Sequence, residues 1–290
     1  MPYSAPVPRL GIDCPIQIGQ FLRRSMKQNV PRNGSGFTLT ELLVVMGIIA
    51  VVAGLLLPAL THARFRSRVT VCSNQYRQWM LAANVYATDD PKGRLPSYPL
   101  PVEAMSAYSA IEPWFVAMEM VTNLVPYGVN LPMWFCPTRP QRFQVHRENF
   151  RTLRGREMTT PADLVDEYVN VQKAAFGFGD WFWWVPRRLG TSGIEFPDPA
   201  RMKTRVPEAW PRRLDDPNLA TMPILSDWTV GQWDDDHRNL NLTGGGHAWP
   251  TTFGPIKSSN SGFADGHVET RPRAALQWQV EGARSAVYMY

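Results

Sequence analysis

Residues 34–60 read GSGFTLTELLVVMGIIAVVAGLLLPAL, the longest apolar run in the chain. Its last 24 residues, 37–60, contain one charged side chain, that of Glu41. A helix of this length rises about 36 Å, which is enough to cross the roughly 30 Å hydrocarbon core of a membrane. Nothing else in the sequence approaches this length of apolar run, so the chain is predicted to have one transmembrane helix.

The basic charge of the chain is concentrated ahead of this segment. The formal net charge is +5, and residues 1–36 supply five basic side chains against one acidic side chain. Residues 37–290 then hold 25 basic and 24 acidic side chains, so the remainder is nearly neutral and a nucleic-acid partner is not expected. Basic residues before an apolar helix predict a cytoplasmic N-terminus and an external C-terminal part.

Two ordinary interpretations of the apolar segment leave features unexplained. A secretory signal has an apolar stretch of about 7–15 residues and a small-x-small cleavage site. Here the run is longer, and Thr61-His62-Ala63 is a poor site. A plain anchor explains the length, but it does not explain a carboxylate at the fifth position of the run, where burial is costly and usually indicates a function or a partner.

The segment resembles the N-terminal signature of type IV pilins and type II secretion pseudopilins. The matching positions are Gly36, Phe37, Thr38, Leu39, Glu41 and Pro58. In that family a prepilin peptidase cleaves after a glycine, here Gly36, and methylates the new N-terminal residue, here Phe37. The resemblance implies a structural subunit of a type II secretion or type IV pilus-like filament, without enzymatic activity, anchored in the bacterial inner membrane with a periplasmic C-terminal domain.

The resemblance also implies how such subunits assemble. When the apolar helices pack together, the free amine of Phe37 in one subunit can lie near the Glu41 carboxylate of a neighbour, an attraction that grows in a low dielectric. This pair would set the register between subunits. Pro58 removes one backbone donor at the end of the run and is expected to kink or loosen the helix. The implied partners are prepilin peptidase, other pseudopilins and the inner-membrane secretion platform.

The resemblance divides the chain into four parts. Residues 1–36 are a cytoplasmic leader, 37–60 the transmembrane helix, 61–90 a helical stem and 91–290 a periplasmic globular domain. A leader of 36 residues is long for this family, and translation from Met26 would give the shorter leader MKQNVPRNGSG. Met26 is therefore a candidate for the true start.

The predicted fold class is α+β and pilin-like, with a long N-terminal helix packed on an antiparallel β-sheet domain that has irregular Pro-rich loops. The helix is expected over residues 37–87, with the arginines of its second half on a solvated face or, alternatively, against lipid headgroups or filament neighbours. Weak helical patterns cover residues 113–124 and 161–174, and residues 222–230 form a strand candidate. The aromatic residues in 176–190 favour a core strand or subunit contact over a sugar-binding platform.

Residues 261–270, SGFADGHVET, predict a β-hairpin with Asp265-Gly266 as a two-residue turn, which would place Phe263 opposite Val268. The segment resembles the C-terminal signature of a bacterial pseudopilin-like group in which a histidine, nine further residues and Asp-Gly precede the ending H-V. Asp265, Gly266 and His267 match that ending. His247 is the candidate upstream histidine, but 17 residues separate it from Asp265, so the resemblance requires an insertion.

Potential metal ligands gather near the C-terminal end. They are Asp227, Asp234, Asp235, Asp236, His237, His247, Asp265 and His267. Such side chains suit zinc, manganese or calcium, but their spacing matches no standard metal motif, so no cofactor is predicted. The acidic run 234–236 is the weak candidate for calcium, with a solvated loop as the preferred interpretation.

The sequence shows no catalytic motif in a supporting context, and the GGGH segment at 244–247 is expected to be a flexible loop. The alternative function is a membrane-anchored extracytoplasmic module that binds glycan or metal, or an enzyme, delivered by a pilin-like segment. Two cysteines, Cys72 and Cys136, follow the membrane segment. They form either a disulfide that ties a loop to the stem or a pair of buried free thiols.

Overall fold

The computed structural model describes residues 37–101, 113, 115–171, 176–188, 195–196, 203–204, 210–233, 240–248, 255–281 and 286–289. The chain divides into two units, Met1–Ala53 and Gly54–Tyr290. A long N-terminal helix and antiparallel sheets are both present, so the predicted α+β class is confirmed. The predicted leader lies outside the described residues, and the boundaries at residues 36, 60 and 90 stay predictions.

The first element is helix α1, Leu39–Asp89, which is 51 residues long and close to the predicted range. It continues through Pro58, and the hydroxyl of Thr61 donates a hydrogen bond to the Pro58 carbonyl at 2.7 Å. Among the described residues, α1 is the helix that is long and apolar enough to cross a membrane. The large apolar side chains in its first half are exposed, including Leu55.

The second half of α1 buries one face in the second unit. The buried residues recur every three or four positions, as packing along one stripe of a helix requires: Cys72, Tyr76, Trp79, Met80, Ala82, Ala83 and Ala87. The four arginines of this half are exposed, which agrees with a solvated face and equally with contacts to lipid headgroups or filament neighbours: Arg64, Arg66, Arg68 and Arg77.

Three shorter helices follow: α2 (Met118–Asn123), α3 (Pro140–Arg154) and α4 (Pro161–Asp166), which continues as a π-helical turn, Glu167–Val171. Three 3₁₀ turns are also described: Val125–Tyr127, Leu131–Trp134 and Arg273–Ala275. The helix expected over 113–124 is wrong in its first half, where a strand precedes α2. The helix expected from residue 161 begins there, but residues 172–174 lie outside the described part. Sequence reasoning missed α3.

The described residues contain fourteen strands. In chain order they are β1 (Phe115–Ala117), β2 (Phe176–Phe178), β3 (Trp181–Trp183), β4 (Arg187–Arg188), β5 (Glu195–Phe196), β6 (Lys203–Thr204), β7 (Pro223–Asp227), β8 (Thr229–Trp233), β9 (Leu240–Gly245), β10 (His247–Ala248), β11 (Ile256–Phe263), β12 (Val268–Pro272), β13 (Trp278–Glu281) and β14 (Ala286–Met289).

Two five-stranded sheets and two strand pairs are formed, and every described pairing is antiparallel. One sheet has the order β10-β11-β7-β3, with β12 also paired to β11, and the other has the order β6-β13-β14-β8-β9. The strand pairs are β1-β2 and β4-β5. The strand expected over 222–230 is instead broken at Trp228, so that β7 and β8 belong to different sheets. The Trp228 amide donates to the Asp180 carbonyl at 3.0 Å rather than continuing a ladder.

The predicted hairpin forms, but its register is wrong by one residue. Gly262, not Phe263, lies opposite Val268. The Phe263 amide donates to the His267 carbonyl at 3.0 Å, which closes a three-residue loop with Gly266 at φ 98°. A three-residue loop with glycine in the left-handed region is the common alternative to a two-residue turn. Phe263 is buried, and Val268 packs against the core.

Tryptophan rings form the centre of the core. Trp79 of α1 lies 5.0 Å from Trp134, 4.9 Å from Trp181 and 5.9 Å from Trp183, measured between ring centroids. On the opposite face of β3, Trp184 stacks on Trp210 at 5.4 Å. Residues 181–184 are all buried, which confirms the core interpretation of this part of the aromatic segment.

Candidate functional site

Four buried side chains with metal-binding chemistry meet beside α1 in the second unit. Cys72 lies on the buried face of α1, Cys136 follows a 3₁₀ turn, Asp227 ends β7 and His247 begins β10. Each is buried, and one donor atom from each lies within 4.8 Å of the others. We call these four residues the thiol–imidazole cluster.

The donor atoms of the thiol–imidazole cluster are at or near contact distance. The two Sγ atoms are 3.6 Å apart, and both cysteines are free. Cys72 Sγ lies 3.9 Å from Asp227 Oδ1, and His247 Nε2 lies 3.3 Å from Asp227 Oδ2. The fold therefore brings together the two cysteines that the sequence predicted to be either disulfide-bonded or a pair of buried free thiols.

Neighbouring polar groups orient the cluster's side chains. The Tyr76 hydroxyl donates to Asp227 Oδ1 at 2.8 Å, and the backbone amide of Asn260 donates to Asp227 Oδ2 at 2.7 Å. His247 Nδ1 lies 2.9 Å from Ser258 Oγ, which leaves Nε2 facing the cluster. Both ring orientation and carboxylate orientation are thus fixed by hydrogen bonds.

The GGGH segment at 244–247 was expected to be a flexible loop, and this expectation is wrong. Its first two glycines end strand β9, and His247 begins strand β10. Gly245 has φ 94° and Gly246 has φ 52°, both in the left-handed region. The Gly246 amide donates to the Trp228 carbonyl at 2.9 Å. This close approach joins the end of β9 to the start of β10 and places His247 beside Asp227.

Electrostatics distinguish the two thiols. The hydrogen bond with Cys72 lowers the pKa of the Cys136 thiol well below its usual value, assisted by His247 and Arg139. The same bond, together with burial, raises the pKa of Cys72 well above its usual value. Burial raises the pKa of Asp227, although the charge of His247 opposes this shift. The shared hydrogen bond therefore shifts the pKa values of the two thiols in opposite directions.

A buried guanidinium supplies positive charge close by. Arg139 is 1% exposed, and its Nη2 lies 3.7 Å from Asp180 Oδ1. Asp180 also accepts from the Cys136 amide at 2.9 Å and pairs with Arg142 at 2.8 Å. Despite its burial, Arg139 has a raised pKa because Asp180 and the cluster's acidic groups favour its charged form.

The second candidate region is the start of α1. The amide and hydroxyl of Thr38 each donate to Glu41 Oε2 at 2.9 Å, and the Glu41 amide donates to Thr38 Oγ1 at 3.3 Å. This reciprocal pair is a capping box. Glu41 thus has a partner within its own chain, whereas the sequence predicted a partner only in a neighbouring subunit. The T-x-x-E pattern was the signal that could have shown this.

The surface that follows this cap is apolar. Phe37 is 81% exposed, and the large side chains along the first turns of α1 are likewise exposed among the residues that the structure describes. Residues 31–57 match the family model described as "Prokaryotic N-terminal methylation motif". The N-terminal segment is that of a type IV pilin-like protein.

A curated relative supports the same assignment. The type IV wide pilus major component PilA4 of Thermus thermophilus is 41% identical to this chain over 59 residues. The match covers 20% of this chain and 45% of PilA4, so it spans less than half of that relative. No solved structure matches the chain. The predicted resemblance to the pilin and pseudopilin family is therefore confirmed on the pilin-like segment.

The structure separates the other residues that the sequence singled out. Asp227 and His247 join the thiol–imidazole cluster, whereas Asp265 Oδ1 and His267 Nδ1 pair with each other at 2.6 Å in the β11–β12 loop. Asp234, Asp235, Asp236 and His237 lie outside the described residues, as does Gly36. Sequence reasoning treated the cysteines as a disulfide or a pair of buried free thiols, and it grouped the histidines with the acidic residues alone, so it missed their meeting.

Proposed function

We propose that this pilin-like protein is a structural subunit, cleaved by prepilin peptidase after Gly36 and assembled through α1 into a type II secretion or type IV pilus-like filament. The observation that carries the proposal is the exposed apolar half of α1, which follows a matched N-terminal methylation motif. An apolar surface of this extent needs lipid or other helices to cover it.

The proposed topology follows from the charge distribution. The basic residues before the apolar segment keep the N-terminus cytoplasmic, so the globular part is periplasmic and the protein is a single-pass inner-membrane subunit. Its partners are prepilin peptidase, further pilin-like subunits and an inner-membrane secretion platform. The protein acts as a structural subunit rather than as an enzyme.

Assembly is proposed to use α1 in two ways. The apolar side chains supply contact area, and repeated head-to-tail contacts that do not close into a ring build an open filament. The Glu41 carboxylate supplies register by pairing with the Phe37 amine of a neighbour. Its Oε2 atom accepts hydrogen bonds from Thr38 of the same chain, so one carboxylate takes part both in the helix cap and in the contact between subunits.

The test separates the charge of Glu41 from its capping role. Glu41→Gln keeps an oxygen that can cap Thr38 but removes the charge, whereas Thr38→Ala removes the capping hydroxyl and keeps the charge. A hydrogen bond to a charged group contributes about 1.5–3 kcal/mol, so Glu41→Gln should lower the yield of sheared filament about tenfold or more. Thr38→Ala should assemble nearly as well as the wild type.

Both variants should reach the membrane fraction in wild-type amounts and be cleaved normally, as mass spectrometry of the processed chain would show. Wild-type filament yield from Glu41→Gln would refute the register role. A variant whose α1 helices cannot associate should lose filament formation and secretion. If such a variant showed neither defect, the proposed subunit function would be wrong.

A further inference from the structure

We propose that Cys72, Cys136, Asp227 and His247 form a buried zinc site that ties the stem of α1 to the β-sheet. The inference rests on the geometry and chemistry of the thiol–imidazole cluster and does not depend on filament assembly. All four residues belong to the second unit, and their elements are far apart in the sequence.

The distances fit tetrahedral coordination. Zinc bonds of about 2.3 Å to sulfur and about 2.0–2.1 Å to nitrogen or oxygen place two sulfur ligands about 3.8 Å apart, sulfur and oxygen about 3.6 Å apart, and nitrogen and oxygen about 3.3 Å apart. The corresponding distances in the cluster are 3.6 Å between the two Sγ atoms, 3.9 Å from Cys72 Sγ to Asp227 Oδ1 and 3.3 Å from His247 Nε2 to the other carboxylate oxygen, Asp227 Oδ2. One donor atom from each residue lies within 4.8 Å of the others, so the donors would close in around an ion as the Asp227 carboxylate turns one oxygen toward it.

The donor set selects the metal. Calcium and magnesium take oxygen ligands, whereas two thiolates with one imidazole and one carboxylate suit zinc in a four-coordinate structural site. The site is buried, and its four protein donors leave no open position for a water or substrate. The proposed role is therefore structural rather than catalytic.

The surrounding hydrogen bonds are those that a zinc site requires. A metal-bound histidine usually directs its other ring nitrogen to a fixed partner, and here His247 Nδ1 lies 2.9 Å from Ser258 Oγ. Tyr76 and the Asn260 amide hold the two oxygens of Asp227 while leaving lone pairs for coordination. The ligands are therefore oriented before an ion arrives.

The charges also balance. Zinc with two thiolates, one carboxylate and a neutral imidazole carries a net charge of −1. The buried Arg139 supplies the compensating positive charge, while Asp180 is balanced by Arg142. Loading transfers no electrons: each thiol loses one proton to solvent as its sulfur binds the ion. A disulfide at the same place would instead require an oxidant to accept two electrons.

The experiment measures metal and thiols in the full-length protein purified in detergent. Elemental analysis should find about one zinc per chain, and denaturation with chelator, without reductant, should expose both thiols of Cys72 and Cys136 to alkylation. Cobalt substituted for zinc should show a thiolate-to-metal charge-transfer band. A protein in which Cys72 and Cys136 are both alkylatable but which binds neither metal would overturn the proposal, as would an intact mass lower by two hydrogens because these two cysteines form a disulfide.

Variants identify the ligands. Cys72→Ser and His247→Ala should weaken zinc binding by at least about 100-fold in competition with a chelator, and Ser258→Ala, which keeps every ligand, by about 10- to 100-fold. The matched control is His146→Ala, because His146 is another buried histidine, paired with Glu167 at 2.9 Å. If His146→Ala lost zinc while His247→Ala retained it, the assignment would be wrong. Cys72→Ser and Ser258→Ala keep the test valid should His247→Ala fail to fold.

Discussion

Gly245 lies where the backbone of Trp228 leaves no room for a side chain. A Cβ atom at this position would lie 1.4 Å from the Trp228 carbonyl oxygen, and the backbone φ of 94° is unfavourable for other residues. The position also lies two residues before His247. The absence of a side chain therefore lets β9 and β10 approach the break between β7 and β8.

Gly245→Ala should destabilise the protein much more than Gly155→Ala. Both glycines have positive φ, but a Cβ at Gly155 would meet nothing within 4 Å. The left-handed conformation alone costs about 1–2 kcal/mol, and overpacking adds about 1–3 kcal/mol at Gly245. The free energy of unfolding in urea, followed by circular dichroism in detergent, provides the comparison. Equal losses in the two variants would show that the contact with Trp228 is not limiting.

At the scale of elements, α4 shows how a short helix is fixed at its N-terminus. Asp163 Oδ2 accepts from the amides of Thr159 and Thr160 at 2.8 Å and 2.9 Å, and Thr160 Oγ1 accepts from the Asp163 amide at 3.2 Å. The Arg156 guanidinium holds the pKa of Asp163 well below its usual range, and the two amides add to this shift against the effect of burial. The ionised carboxylate is therefore the form that stabilises the fold.

Asp163→Asn should lower the free energy of unfolding near pH 6 by about 1–2 kcal/mol, the usual cost of a lost cap. Because the folded pKa is depressed, the wild-type advantage is fully present above the unfolded value of about 3.9 and is lost as the pH falls below it. Urea denaturation between pH 6 and pH 2 should show the two proteins converging. The exposed Glu148→Gln is the control, and it should match the wild type throughout. A gap that stayed constant with pH would contradict the role of the charge.

Elements with a strong local signal were predictable, and those decided by tertiary contacts were not. The apolar run and the helical pattern behind it predicted α1 to within about two residues at either end. Helix α3 was missed because it buries few side chains, although Pro140 at its start and Gly155 after its end are ordinary boundary signals. The break at Trp228 could not be read locally, since its amide bonds to Asp180, far away in the sequence.

At the scale of the whole molecule, Trp79 connects three parts of the chain. Its ring contacts Trp134, Trp181 and Trp183, and its Nε1 donates to the Met133 carbonyl at 3.0 Å. The same carbonyl accepts from Trp181 Nε1 at 3.3 Å. The second half of α1, the 3₁₀ turn Leu131–Trp134 and strand β3 therefore pack against one another around Trp79.

Trp79→Ala should reduce the global free energy of unfolding by about 3–5 kcal/mol, because it removes a large buried ring and leaves a cavity. Leu81→Ala, on the same helix but 64% exposed, should change it by no more than about 0.5 kcal/mol. Chemical denaturation followed by the helical circular dichroism of both variants measures the difference. Comparable effects would mean that α1 is not stabilised by this core.

The two candidate sites also differ in how far they could be predicted from the sequence. The N-terminal site was predictable because Gly36, Phe37 and Glu41 are close together in the sequence and part of a recognisable pattern. The thiol–imidazole cluster was not, because Cys72 and Asp227 are 155 positions apart and meet only when α1 packs on the first sheet. Each residue taken alone had a simpler interpretation, and only the folded structure shows that the four lie together.

The closely spaced indole rings of the core have an optical consequence. Trp79, Trp134 and Trp181 have centroids about 5 Å apart and are strongly inclined to one another, an arrangement in which electronic transitions couple. Such exciton coupling gives paired circular-dichroism bands of opposite sign, distinct from those of helix or sheet. The native core thus carries an unlabelled optical reporter, whose loss would mark separation of the stem from the sheet even while α1 stays helical.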